Sequence, residues 1–179
     1  MFFSRLYWGI ERYPEAPYFV LGVYLILLGH SNAAFILSHT SLFLWICLAA
    51  GITVKALLKT PRPKAYYGGF YWTLYDVPSI HTMLSWGISA FVFGLNPVWG
   101  IALLPIGIFY LLSRLALGFH SVLGVAVGAA LGCLVGWLVS PAWNFSFGFA
   151  AEFCLSALFF IVPFCVSFVR RRRMKRAQF

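Results

Sequence analysis

Residues 99–139 run WGIALLPIGIFYLLSRLALGFHSVLGVAVGAALGCLVGWLV, and Arg114 is the single formally charged side chain among them. A helix that crosses the hydrocarbon core of a bilayer needs about 20 predominantly apolar residues. This stretch supplies that length twice, on either side of a short break at 117–120. The rest of the chain agrees. Of 179 residues, 62% are hydrophobic, 20% aromatic and 9% charged, and the mean hydropathy is +0.89. A soluble domain of this length displays a charged shell around its core, which runs such as Trp99 to Leu112 do not allow. The solvent for most of this chain is a bilayer.

Charge and cysteine usage exclude several function classes. The net charge is +9, but six of the thirteen basic residues sit in one tail, Arg170 to Arg176, against an apolar helix. That placement fits anionic headgroups and a topology signal, and argues against nucleic acid as a partner. Cys47, Cys133, Cys154 and Cys165 all fall inside apolar runs, without the paired spacing of a zinc site or a secreted disulfide framework. No Cys-x-x-Cys, glycine-rich nucleotide loop or carboxylate cluster is present. Glu11, Arg12 and Glu15 interrupt the apolar start, so a cleavable signal is not expected there.

The expected fold class is all-α, a polytopic membrane helix bundle forming one domain over residues 1–179. Six candidate spans are read at 17–37, 41–58, 79–95, 97–117, 120–139 and 149–169. The first is short or broken, because His30, Ser31 and Asn32 follow an apolar run of barely three turns. Pro163 in the last is tolerable as a kink. Gly124, Gly128, Gly132 and Gly136 put small residues on one stripe of the fifth span, where a neighbouring helix can approach closely. The aromatic stretch Tyr66 to Tyr75 reads as an interfacial loop or re-entrant segment. With the basic tail in the cytoplasm, alternating spans place both termini and the loops at 59–78 and 117–120 on that same side. The opposite side then receives segments near His39, Asn96 and Ser140 to Ser146, which contain no Lys or Arg. A bacterial inner membrane protein with an inward-facing site is expected.

Three short segments on the basic side carry polar groups that a membrane protein retains only for a reason. Lys55 and Arg62 are seven residues apart, nearly one helical face at about 100° per residue, so both cations can address one point. Pro61 and Pro63 end the helix around Arg62. Taken alone, Lys55, Lys59, Arg62 and Lys64 also read as a positive-inside flank. Next comes Pro78-Ser79-Ile80-His81, before the third span. A helix start of this kind leaves backbone N–H groups and a favourable dipole pointing at an anion, though Ser79 also reads as an ordinary cap. His81 adds a titratable group at the same terminus. The third segment is Ser113-Arg114-Leu115-Ala116-Leu117-Gly118-Phe119-His120. An arginine in an apolar helix is unfavourable by about 2.5–3.5 kcal/mol at the bilayer centre, so Arg114 either snorkels to the interface or meets an anion. The chain's acids number four, Glu11, Glu15, Asp76 and Glu152, which favours an exogenous phosphate.

In this order and spacing, the segments resemble the three-part signature of the type 2 phosphatidic acid phosphatase superfamily: Lys-x6-Arg-Pro, Pro-Ser-Gly-His and Ser-Arg-x5-His-x3-Asp. The resemblance covers about 70 residues, Lys55 to Gly124. It implies a phosphate monoester or diphosphate bound by Lys55, Arg62, Ser79, Arg114 and the backbone N–H of Ile80. It also implies a phosphohistidine on His120, with His81 as proton donor to the leaving oxygen and no metal or other cofactor. The substrate class it implies is a lipid phosphate, taken from among the surrounding membrane lipids.

Two positions depart from the signature. Ile80 stands where the family has glycine, adding β-branched bulk that resists positive φ. Gly124 stands where the family has the aspartate that orients the nucleophilic histidine. Three possibilities follow: a slow or inactive homologue, replacement by another acid such as Asp76, or a histidine oriented by a backbone carbonyl. Function accordingly divides into a lipid-phosphate hydrolase, a phosphotransferase passing the same phosphoryl group to a lipid alcohol, and a lipid-binding scaffold whose glycine stripe is an association surface.

Overall fold

The computed structural model describes residues 33–64 and 74–140, together with the helical positions Ala151, Cys154 and Leu158. Five helices order the first two segments: α1 (Ala33–Leu58), α2 (Ile80–Leu95), α3 (Pro97–Ala102), α4 (Leu104–Ala116) and α5 (Val122–Val139). Among the described residues, pairing outside helices is confined to one isolated antiparallel bridge between Pro61 and Tyr75. Most of the expected spans at 149–169 and 17–37 and most of the aromatic loop lie outside the described residues.

Among the described residues, three helical stretches are long and apolar enough to cross a membrane: His39–Leu58, Pro97–Ala116 and Val122–Val139. The apolar α2, with 16 residues, is shorter. Their outer surfaces keep large apolar side chains exposed, among them Leu57, Ile101, Leu112, Val122, Leu123 and Trp137. Such a surface is stable against lipid.

Two expected boundaries move. The polar run Ser38-His39-Thr40, expected to separate the first span from the second, lies inside α1. It contains neither proline nor glycine, and His39 and Ser41 are buried, so nothing there interrupts the helical hydrogen bonds. The expected span 97–117 is divided at Leu103 into α3 and α4. Pro105 lacks an N–H and crowds the carbonyl four residues earlier, which breaks the ladder there.

The core forms where α1, α2 and α5 meet, around Phe43, Leu44, Cys47, Met83, Phe91, Val92 and Val139. The rings of Phe43 and Phe91 lie 5.9 Å apart. The glycine stripe is the reason α5 reaches the backbone of α2. A Cβ on Gly128 would stand 2.6 Å from the Ser79 carbonyl oxygen, and one on Gly132 would stand 2.7 Å from the carbonyl carbon of Met83. Real side chains do not fit there. The stripe that an association surface would need is thus occupied by α2 of the same chain.

This packing decides where the polar groups go. The C-terminal ends of α1 and α4 and the N-terminal ends of α2 and α5 are drawn together, as hydrogen bonds between residues from all four ends show. The Ser79 N–H donates to the Gly124 carbonyl at 2.8 Å, tying the start of α2 to the start of α5.

Candidate functional site

Lys55 lies in the last turn of α1, where its side chain is buried rather than snorkelling, with 1% of its surface exposed. Its ammonium donates to the carbonyls of Tyr75 at 2.6 Å and Asp76 at 3.0 Å. Arg62 reaches the same place by a different route from the one expected. The helix ends at Leu58, Lys59 takes a positive φ of 46°, and the chain turns back. The Nε of Arg62 then donates to the Tyr75 carbonyl at 3.0 Å and a terminal guanidinium nitrogen to the Phe119 carbonyl at 3.3 Å. Convergence of the two cations comes from this reversal, not from a shared helical face. Thr60 fixes the returning strand: its carbonyl accepts the Asp76 N–H at 2.9 Å, and its hydroxyl accepts the Val77 N–H at 3.0 Å.

Ser79 is fully buried and caps α2, accepting from Thr82 N at 3.5 Å and Thr82 Oγ1 at 3.0 Å. The capping role is therefore real, and it leaves the serine its own proton to donate. Ile80 takes helical backbone geometry, so the bulk that resists positive φ meets no such demand. Its side chain lies against Gly51 of α1, where an added Cβ would stand 3.1 Å from the isoleucine. His81 follows in the first turn, its ring stacked on Tyr110 at 6.3 Å between centroids. Tyr110 and Arg114 are one turn apart on the buried face of α4. Arg114 is likewise buried, at 5% exposure, which sets aside snorkelling. Its guanidinium carbon lies 5.8 Å from the centre of the Phe119 ring.

Between α4 and α5 the chain turns through Gly118, whose φ of 67° suits a residue without a Cβ. The Arg114 carbonyl accepts the N–H groups of Phe119 at 3.1 Å and His120 at 3.3 Å. His120 is thereby turned into the bundle, 4% exposed. Its Nδ1 lies 2.8 Å from Asp76 Oδ1. The same carboxylate accepts the Ser121 N–H at 3.1 Å and the Ser121 hydroxyl. Ser121 also caps α5, accepting from Gly124 N at 3.0 Å. Asp76 thus sits on the N-terminus of α5, where the helix dipole favours a negative charge.

The electrostatics follow from that arrangement. Burial raises the Asp76 carboxyl, but the hydrogen bonds from Ser121 and His120 outweigh it and hold the group below the usual carboxylate range. Burial, with Arg62 and Lys55 nearby, pushes the His120 imidazole down to about 3 despite the Asp76 hydrogen bond. Near neutral pH the pair is a carboxylate facing a neutral imidazole. A carboxylate only accepts, so Nδ1 carries the proton and Nε2 keeps its lone pair. Arg114, His120, Arg62 and Lys55 all lie within electrostatic range of His81. Every expected site residue is therefore drawn to one end of the bundle.

Several contributors carry no motif. Tyr75 and Phe119 act through backbone carbonyls, which no side-chain pattern announces. Ser121 had a visible signal, a serine directly before an apolar run, and Tyr110 had its helical spacing to Arg114. No family model, curated protein or solved structure matches this chain.

Proposed function

We propose that this protein is a membrane lipid-phosphate phosphatase of the type 2 phosphatidic acid phosphatase kind, acting through a phosphohistidine on His120. The observation that carries the reading is the buried His120–Asp76 pair beside Lys55 and Arg62. A neutral, oriented imidazole is a nucleophile, and the buried cations Lys55 and Arg114, with the half-buried Arg62, call for an anionic ligand.

In the reaction, Nε2 of His120 attacks phosphorus as the bond to the lipid oxygen breaks. The electron pair leaves with that oxygen, which takes a proton from His81 acting as its general acid. Water then attacks the phosphohistidine, the P–N bond returns its electrons to Nε2, and neutral His81 takes the proton. The net change is phosphate monoester plus water to alcohol plus phosphate. Lys55, Arg62 and Arg114 stabilise charge as it spreads over the equatorial oxygens, together with Ser79 and the Ile80 N–H.

A lipid substrate suits the location. The site lies at the ends of the helical stretches His39–Leu58, Pro97–Ala116 and Val122–Val139, each long enough to cross the hydrocarbon core, so a phosphate at headgroup depth meets it. The six-span topology, an inner-membrane location and a cytoplasmic site belong to the same proposal, supported by the one-sided distribution of Lys and Arg. The test is phosphate release by purified protein from a panel of lipid phosphates. Activity should be inhibited by vanadate and abolished by His120→Ala, and a brief quench with labelled substrate should trap acid-labile phosphate on the wild type. Full activity in His120→Ala refutes the assigned nucleophile.

A further inference from the structure

Asp76 and Gly124 fit each other closely. Asp76 comes from the segment before α2 and Gly124 from the first turn of α5, yet a Cβ built on Gly124 would stand 2.6 Å from Asp76 Oδ1 and 3.1 Å from its Cγ. Any side chain at 124 would occupy the volume the carboxylate now fills. The distance has a second meaning. Within an aspartate, covalent bond lengths place each carboxylate oxygen about 2.4 Å from its own Cβ. An aspartate at 124 is therefore built to deliver an oxygen nearly to the point where Asp76 Oδ1 meets His120 Nδ1.

We infer that the carboxylate orienting His120 has two interchangeable seats in this fold, positions 76 and 124, and that Gly124 is the space that lets Asp76 take the first. Asp76 is a positioning residue for His120, and an aspartate works from either seat but not from both at once. The backbone of Asp76 is locked for this task, its N–H on the Thr60 carbonyl at 2.9 Å and its carbonyl on Lys55 Nζ at 3.0 Å. Ser121 holds the carboxylate from the other side. A glycine at 124 consequently marks a relocated carboxylate rather than a lost one. This inference rests on the phosphatase reading for its catalytic readout, though not for its spectroscopic one.

The experiment compares wild type, Asp76→Ala, Asp76→Asn, Gly124→Asp and the double variants carrying Gly124→Asp with either change at 76, all as full-length protein. Asp76→Ala should lower kcat by about 10²–10⁴-fold with little change in KM, the scale known for removing an orienting carboxylate from a histidine. Gly124→Asp alone should also be impaired, because two carboxylates crowd one site. Asp76→Ala/Gly124→Asp should recover at least tenfold over Asp76→Ala. Asp76→Asn/Gly124→Asp should not recover, because asparagine keeps the volume filled. Nitrogen-15 NMR of labelled histidine should report an Nδ1–H tautomer for His120 in wild type and in the rescued double variant, and its loss in Asp76→Ala. Undiminished kcat in Asp76→Ala overturns the inference. So does a double variant no better than Asp76→Ala in both turnover and tautomer. If wild type hydrolyses no lipid phosphate, the phosphatase reading fails, and the tautomer series alone decides the two-seat inference.

Discussion

Replacing Lys55 by methionine separates a site residue from a topology flank. The ammonium makes two charge-assisted hydrogen bonds, at 2.6 and 3.0 Å, from a position with 1% exposure. Such bonds contribute about 1.5–3 kcal/mol each, so about 3–6 kcal/mol is lost with them. Against this, a buried ion carries a desolvation penalty of several kcal/mol, which methionine removes while filling similar volume. The Tyr75 carbonyl also keeps its bond from Arg62 at 3.0 Å. The opposing effects nearly cancel, and net stability should change by no more than about 1.5 kcal/mol. For a chain of this length that is a shift in Tm of about 3–6 °C. Catalysis has no such compensation, because charge developing on the phosphoryl oxygens loses a buried cation. A preorganised donor of this kind is worth about 10²–10³-fold in kcat. The assay pairs phosphate release with thermal unfolding in the same detergent. Wild-type kcat/KM in Lys55→Met would refute the site assignment and leave Lys55 as a flank. A Tm fall well beyond that range, with normal turnover per folded molecule, would reduce Lys55 to a brace for the 75–76 carbonyls.

Two further outcomes concern the scaffold and its pH response. Gly132→Ala should lower stability by at least about 1–3 kcal/mol and reduce activity with it, since its Cβ would press on the Met83 peptide, whose carbonyl carbon is 2.7 Å away, and force α2 and α5 apart; an unchanged Tm would contradict the observed helix contact. His120 is held at about 3 in the folded protein, below the ordinary value near 6.5. The unfolded chain therefore binds one more proton in that window, and stability should fall as pH drops through it, by at most about 1.4 kcal/mol per pH unit. Asp76, also held low, acts in the same direction below its ordinary range. His120→Gln should flatten the dependence of Tm on pH between 6.5 and about 4.5, and equal slopes in both proteins would show that His120 titrates normally.

How far the site can be read from the chain depends on the kind of contact involved. Lys55, Arg62, Ser79, His81, Arg114 and His120 stand out because each is polar in an apolar surrounding, where retention is unfavourable unless a ligand or partner answers it. Ile80 and Gly124 stand out only against a resemblance. What their exchange means for Asp76 was one of several open possibilities, since a chain read in one dimension does not say which acid faces which histidine 44 residues away. Likewise, seven-residue spacing suggested the right partners in Lys55 and Arg62 for a reason that the end of α1 at Leu58 removes.

By itself, then, the sequence determined the solvent, the helical character, the glycine stripe and the set of costly polar groups, because each depends on local composition and short-range periodicity. The tertiary structure decided the rest. It set α5 against α2 through that stripe, returned the chain from Lys59 so that Arg62 meets Tyr75, and brought Asp76 into the space that Gly124 leaves beside His120. Those outcomes depend on which backbones approach within about 3 Å, and helix packing fixes that distance.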